Sequence, residues 1–243
     1  MSVNKILDHD ILVIKRDLQN MINATKKQYE ETNEAVKNND YQLAEKVISD
    51  DHKINDMQNN LTKTALWKIA KQNMVAGDLR LAIGSVLIAR EIERIADYAK
   101  NICYFLVDYK PDVKYTKAIQ SNFSIILKML DMISTLIDHY DTDLNNKVDA
   151  FEKEVNDEFV KTRGEIISEI RHADSDEMAI LLYTSLRQLK KLERAADHII
   201  SIQEILDFIR TGKFNESVPA SFGDNTSLFD EGKDDDDDDE TAN

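Results

Sequence analysis

Leu7, Ile11, Ile14, Leu18 and Met21 recur at intervals of four and three, and so do Ile119, Phe123, Ile126, Leu130 and Ile133. That spacing keeps one face of a helix apolar. The second series is the first shifted by 112 residues. Further along, EIERIADYAKNI at 91–102 is answered by KLERAADHIISI at 191–202, an offset of 100. Self-similarity at such offsets predicts an internal duplication. Each copy reads as three helices: near 4–36, 42–71 and 77–107, then near 116–140, 143–172 and 176–211. DYKPDVKY at 108–115, which contains Pro111, joins the copies, and NMVAGD and HADSD mark turns. The drop in offset predicts a shorter first connection in the second copy. Asp78 and Asp176 are read as N-caps or first-turn acids of the third helices.

Composition reinforces the helical reading. Only 6 glycines and 2 prolines punctuate 243 residues, so strands and tight turns have little to be built from. The expected fold is all-α: two pseudo-symmetric three-helix bundles, the first over 1–110 and the second over 111–212. Residues 213–243 are expected to be a disordered acidic tail. The net charge of −15 is uneven. Residues 224–243 hold ten acids against Lys233, or −9, which leaves −6 for the rest. A mildly acidic body speaks against nucleic acid as the main partner. One cysteine, Cys103, excludes an internal disulfide and is read as a core residue. No signal-peptide run or membrane-length apolar run is present, so a soluble cytoplasmic protein is expected.

The duplicated acids carry the chemistry. Glu93 and Asp97, like Glu193 and Asp197, stand four residues apart and share a helix face, about 5–6 Å between Cβ atoms. Folding each copy's second and third helices into a hairpin brings Asp51 opposite Asp97 and Asn55 opposite Glu93. In the second copy Glu152 comes opposite Asp197 and Asn156 opposite Glu193. Three crowded carboxylates repel unless protonated or bound to a cation, and hard cations and iron prefer oxygen ligands. An isolated acidic pair is ordinarily a solvated face costing ~0.2–0.5 kcal/mol, and Arg90, Arg94, Lys190 and Arg194 could balance it. Repetition with matched acids on the neighbouring helix favours a metal.

These residues resemble the PhoU family, the phosphate-transport accessory regulators. The family carries two copies of an acidic E(D)-x-x-x-D motif on the third helices of two three-helix bundles. ERIAD (93–97) and ERAAD (193–197) match it, YAKNI after the first copy is close to the family's pattern, and GDLRLAI (77–83) and DHKIN (51–55) resemble its neighbouring segments. The likeness spans about residues 5–210. It implies a metal-carrying scaffold that represses the phosphate-starvation response, with no turnover of its own. It also implies iron or zinc, with manganese or magnesium as alternatives, on Glu93, Asp97, Glu193 and Asp197, and on Asp51 and Glu152. The implied partners are the ATPase subunit of a phosphate ABC transporter and a sensor histidine kinase, and a homodimer is expected. Ala96 and Ala196 replace the glycine common in the motif, and the second copy is looser.

Other chemistry is thinly marked. A carboxylate di-metal oxidative enzyme needs paired Glu-x-x-His motifs, and only Glu169 to His172 occurs. Trp67 is read as packing. A metal-free helical accessory protein of another ion transporter is the alternative reading.

Overall fold

The computed structural model describes residues 3–71 and 74–213, and among them only helices and short connections occur. These are α1 (Val3–Asn38), α2 (Tyr41–Asp50), α3 (His52–Lys71), α4 (Ala76–Tyr109), α5 (Val113–Asp138), α6 (Thr142–Arg171) and α7 (Asp176–Thr211). The expected second helix is interrupted at Asp51, although its backbone stays helical at φ −56° and ψ −35°. The side chain of Leu7 and the expected tail from residue 214 onward lie outside the described residues.

The helix starts are set by short polar side chains. Asp40 accepts from the Leu43 N–H at 3.0 Å and Asp141 from the Leu144 N–H at 2.9 Å. Ser175 accepts from the Met178 N–H at 3.2 Å. Each satisfies an amide that the first helical turn leaves open. Asp78 and Asp176 sit in first turns and are not themselves caps. Gly212 closes α7 at φ 75°, a left-handed conformation that glycine adopts without strain.

The duplication holds, but the first series was matched in the wrong place. The capping acids Asp40 and Asp141 lie 101 residues apart, and so do Leu18 and Ile119. The buried positions Leu18, Met21, Ile22, Tyr29 and Val36 of α1 answer Ile119, Asn122, Phe123, Leu130 and Ile137 of α5. An offset of 112 overshoots by 11 residues, just over three helical turns of 3.6. The same face returns after three turns, so periodicity alone could not tell the two registers apart. Nor is the second copy's first connection shorter: 39–40 joins the helices of the first copy and 139–141 those of the second. The difference lies at the N-terminus of α1, which begins earlier than α5.

The core is shared between the copies. α4 and α7 make the most extensive helix–helix contact, α1 packs on α4, α5 on α7, and α1 on α5. The α4–α7 seam is antiparallel, since Arg80 Nε reaches the Ile209 carbonyl and Tyr98 reaches His198. α2–α3 and α6 flank this four-helix centre. Ile88, Ile92, Ile95, Ile102, Leu192, Ile199 and Ile202 are fully buried along the seam, each stabilising the fold by roughly 1.5–3 kcal/mol relative to exposure. Cys103 is buried, as expected, and burial pushes its thiol up to about 12. Trp67 is not core: it is 56% exposed, with Lys71 Nζ 4.4 Å above its ring.

Gly84 lets the seam close. A Cβ there would lie 2.5 Å from Ile209 Cδ1 and 2.6 Å from Cγ1. Alanine gains helix propensity while pressing on a flexible side-chain end, but a larger residue has nowhere to go. Gly84→Leu is expected to destabilise the protein by about 1–3 kcal/mol, read as a lower midpoint in thermal unfolding. An unchanged midpoint would show that α4 and α7 separate there at no cost.

Candidate metal centre: two unequal carboxylate clusters

The hairpin register places the acids as expected. In the first repeat, Asp51 at the α2–α3 break and Glu93 and Asp97 on α4 form one cluster. Lys100 lies one turn beyond Asp97. Its Nζ stands 2.5 Å from Asp97 Oδ1 and donates to Asp51 Oδ2 at 2.9 Å. Gln28 donates to Asp51 Oδ1 at 3.0 Å, and Asn101 donates to Asp97 Oδ2 at 2.8 Å. All four oxygens of Asp51 and Asp97 are therefore engaged by donors of the chain. Asn55, expected at this level, supplies none of these bonds. Burial works against the Lys100 charge, yet the hydrogen bonds it donates to the two carboxylates hold its pKa above the ordinary lysine value. Burial, then the Asp97 and Asp51 charges, pushes Glu93 upward.

In the second repeat, Glu152 on α6 joins Glu193 and Asp197 on α7. Glu193 is 2% exposed, and Lys190 Nζ lies 2.7 Å from its Oε1 and 2.6 Å from its Oε2. Asp197 Oδ1 is buried with no hydrogen-bond partner. Burial and the Glu193 charge push the Asp197 carboxyl up to about 6, against the Lys190, His198 and Arg194 charges. Glu152 is raised by burial, then by Asp197 and Glu193. A buried carboxylate oxygen without a donor is costly, and a metal ion supplies what it lacks. The donor chemistry thus fits a hard or iron-like cation. As the side chains stand, however, no three His, Cys, Asp or Glu among the described residues are disposed to hold one ion together.

The basic residues divide their roles. Lys190 pairs with Glu193, but Arg94 turns to Glu91 at 3.5 Å. His198 belongs to the seam: its Nδ1 lies 2.5 Å from Glu91 Oε2 and its Nε2 3.1 Å from the Tyr98 hydroxyl. With Nδ1–H donating to Glu91, Nε2 accepts from Tyr98. The rings of Tyr98 and His198 stack at 5.7 Å. His172 is exposed at the end of α6, and the sequence has no second Glu-x-x-His to pair with it. Lys100, Gln28 and Asn101 escaped the sequence reading. Lys100 had a signal, since a lysine three residues after an acid shares its helix face. Gln28 had none, because it comes from a different helix.

A duplicated helical scaffold with one acid cluster on each repeat is the class that fold and site define. The PhoU domain family matches residues 18–106 and 119–206, and the chain belongs to that family. A phosphate-specific transport system accessory protein PhoU homolog from Borreliella burgdorferi is 27% identical over 219 residues, covering 87% of this chain and 97% of that protein. Homolog 1 from Thermotoga maritima is 24% identical over 209 residues, covering 85% and 89%. In fold, the crystal structure of PhoU from Pseudomonas aeruginosa is similar with a TM-score of 0.77 at 24% identity, covering 85% of this chain and 99% of that one.

Proposed function

We propose that this chain is an accessory protein of phosphate-specific transport, a scaffold that binds metal through its carboxylate clusters and works by protein contacts. It represses the phosphate-starvation response by engaging the ATPase subunit of a phosphate ABC transporter and a sensor histidine kinase. It acts in the cytoplasm, as a homodimer. The observation that carries the reading is the paired acid clusters on a duplicated PhoU scaffold whose relatives bear that accessory name. Among the described residues no helix is long and apolar enough to cross a membrane; in this reading, contact with the transporter is made through its ATPase subunit. Glu152, Glu193 and Asp197 would hold the ion in the second repeat, and Asp51, Glu93 and Asp97 in the first. When bound, the metal supplies positive charge that fixes the carboxylates of adjacent helices to one another.

Deleting the protein is expected to raise expression from a phosphate-starvation promoter in phosphate-replete cells, and co-purification is expected to recover the transporter ATPase. An unresponsive promoter together with capture of neither partner would overturn the reading.

A further inference from the structure

The two clusters differ most in the residues around the acids. Every chain donor that engages Asp51 and Asp97 in the first repeat is replaced at the related position of the second. Gln28 gives way to Met129, Lys100 to Ile200 and Asn101 to Ser201. Met129 is buried, and the Ser201 hydroxyl donates to the Asp197 backbone carbonyl at 3.2 Å. In the first repeat, Lys100 ties the acid of the flanking helix to the acid of α4. In the second, no donor among the described residues spans Glu152 and Asp197, and Asp197 Oδ1 is buried without a partner. Lys190 pairs with Glu193, its Nζ lies 5.2 Å from the centre of the Phe159 ring, and its side chain is 38% exposed.

We propose that the second cluster, Glu152, Glu193 and Asp197, is the metal centre that fills first, and that Lys100 holds the first cluster as an internal ion pair which a metal must displace. The inference rests on the metal-binding reading above and adds an order of affinity to it. Each cluster sets three acids against one directly paired lysine, and Asp149 and Asp157 add negative charge around Glu152 of the second. What differs is which acids the lysine ties. Lys100 contacts the acids of both elements, Asp51 and Asp97, whereas Lys190 contacts only the α7 acid Glu193 and leans its Nζ over the Phe159 ring of α6. A divalent ion at the first cluster must break two charged contacts and leave Gln28 and Asn101 competing for the same oxygens. At the second cluster it meets a carboxylate oxygen that nothing else satisfies. A competing contact of about 1.4 kcal/mol already weakens binding tenfold, so a difference of at least about tenfold is expected.

The test is a Mn2+ titration of the full chain, with free Mn2+ followed by electron paramagnetic resonance. Wild type, Asp97→Asn, Asp197→Asn, Lys100→Ile and Ile200→Lys are compared, and thermal unfolding checks that each is folded. Wild type is expected to show one tight site, lost in Asp197→Asn and kept in Asp97→Asn. Lys100→Ile is expected to gain a second tight site. Ile200→Lys, which needs no new buried cavity, is expected to bind at least tenfold more weakly, and it decides the matter if Lys100→Ile does not fold. Two equal sites in wild type, or loss of the tight site in Asp97→Asn, would overturn the order while leaving metal binding intact. No Mn2+ bound by any variant would overturn both.

Discussion

Replacing Tyr29 with alanine is expected to lower the unfolding free energy by about 3–5 kcal/mol and the thermal midpoint by roughly 6–20 °C. Tyr29 is fully buried where α1 meets the rest of the core. Its ring stands edge-on to Phe123 of the other repeat, with centroids 5.3 Å apart. Its hydroxyl donates to the Ile95 carbonyl at 2.9 Å. The truncation removes an aromatic ring from the crossing of three helices, and long helices on every side resist collapse into the space. Tyr29→Phe separates the two contributions, since it keeps the ring and removes only a hydrogen bond worth about 1 kcal/mol. Urea unfolding of both variants reads the difference. A loss below about 1 kcal/mol in the alanine variant would mean that the crossing rearranges freely.

The second large effect is one of sign. Asp197→Asn is expected to stabilise the metal-free protein at pH 8 by about 1–3 kcal/mol, allowing for solvent screening, and by no more than about 0.5 kcal/mol at pH 4. The folded carboxyl sits at about 6 against an ordinary 3.8, because burial and Glu193 penalise its charge. Folding therefore favours the protonated acid. Well below pH 3.8 the acid is neutral in both states and costs nothing. The penalty grows as pH rises toward 6 and is complete above it, and asparagine never incurs it. Metal offsets the difference. Binding to the native state stabilises wild type by about 2.7 kcal/mol at a hundredfold excess over Kd, and the variant loses that gain. Unfolding curves at pH 4 and 8, with chelator and with Mn2+, give the four numbers needed. A variant less stable than wild type at pH 8 in chelator would show that the carboxylate is well partnered without metal.

Most of the scaffold could be read from the chain because it is written in period 3.6. Ile119, Phe123, Ile126, Leu130 and Ile133 are all fully buried, as their spacing required. The register of the first helices could not be read that way, since a slip of three turns preserves the face. The acids were recoverable for a different reason. A hairpin of two long helices has one free parameter, its turn centre, and ERIAD and DHKIN constrain it twice over. The donors around Asp51 and Asp97 depend on packing between nonadjacent segments, which local spacing does not encode. Gln28 reaches its acid from α1, 23 residues away in the chain. Trp67 failed as a core residue because an aromatic side chain on an amphipathic helix need not lie on its buried stripe, and here it shelters under Lys71 on the outer face.

The contact at Gly84 also bears on how the two copies have diverged. Gly84 of one repeat makes room for Ile209 of the other. The related pair is Thr184 and Tyr109, and Tyr109 is 43% exposed. The two related positions therefore differ, a close approach at one and a half-exposed tyrosine at the other. A residue in either copy is thus selected against its neighbour across the seam as much as against its own twin. Each half carries the imprint of its partner, and drift in one half constrains which changes the other can accept.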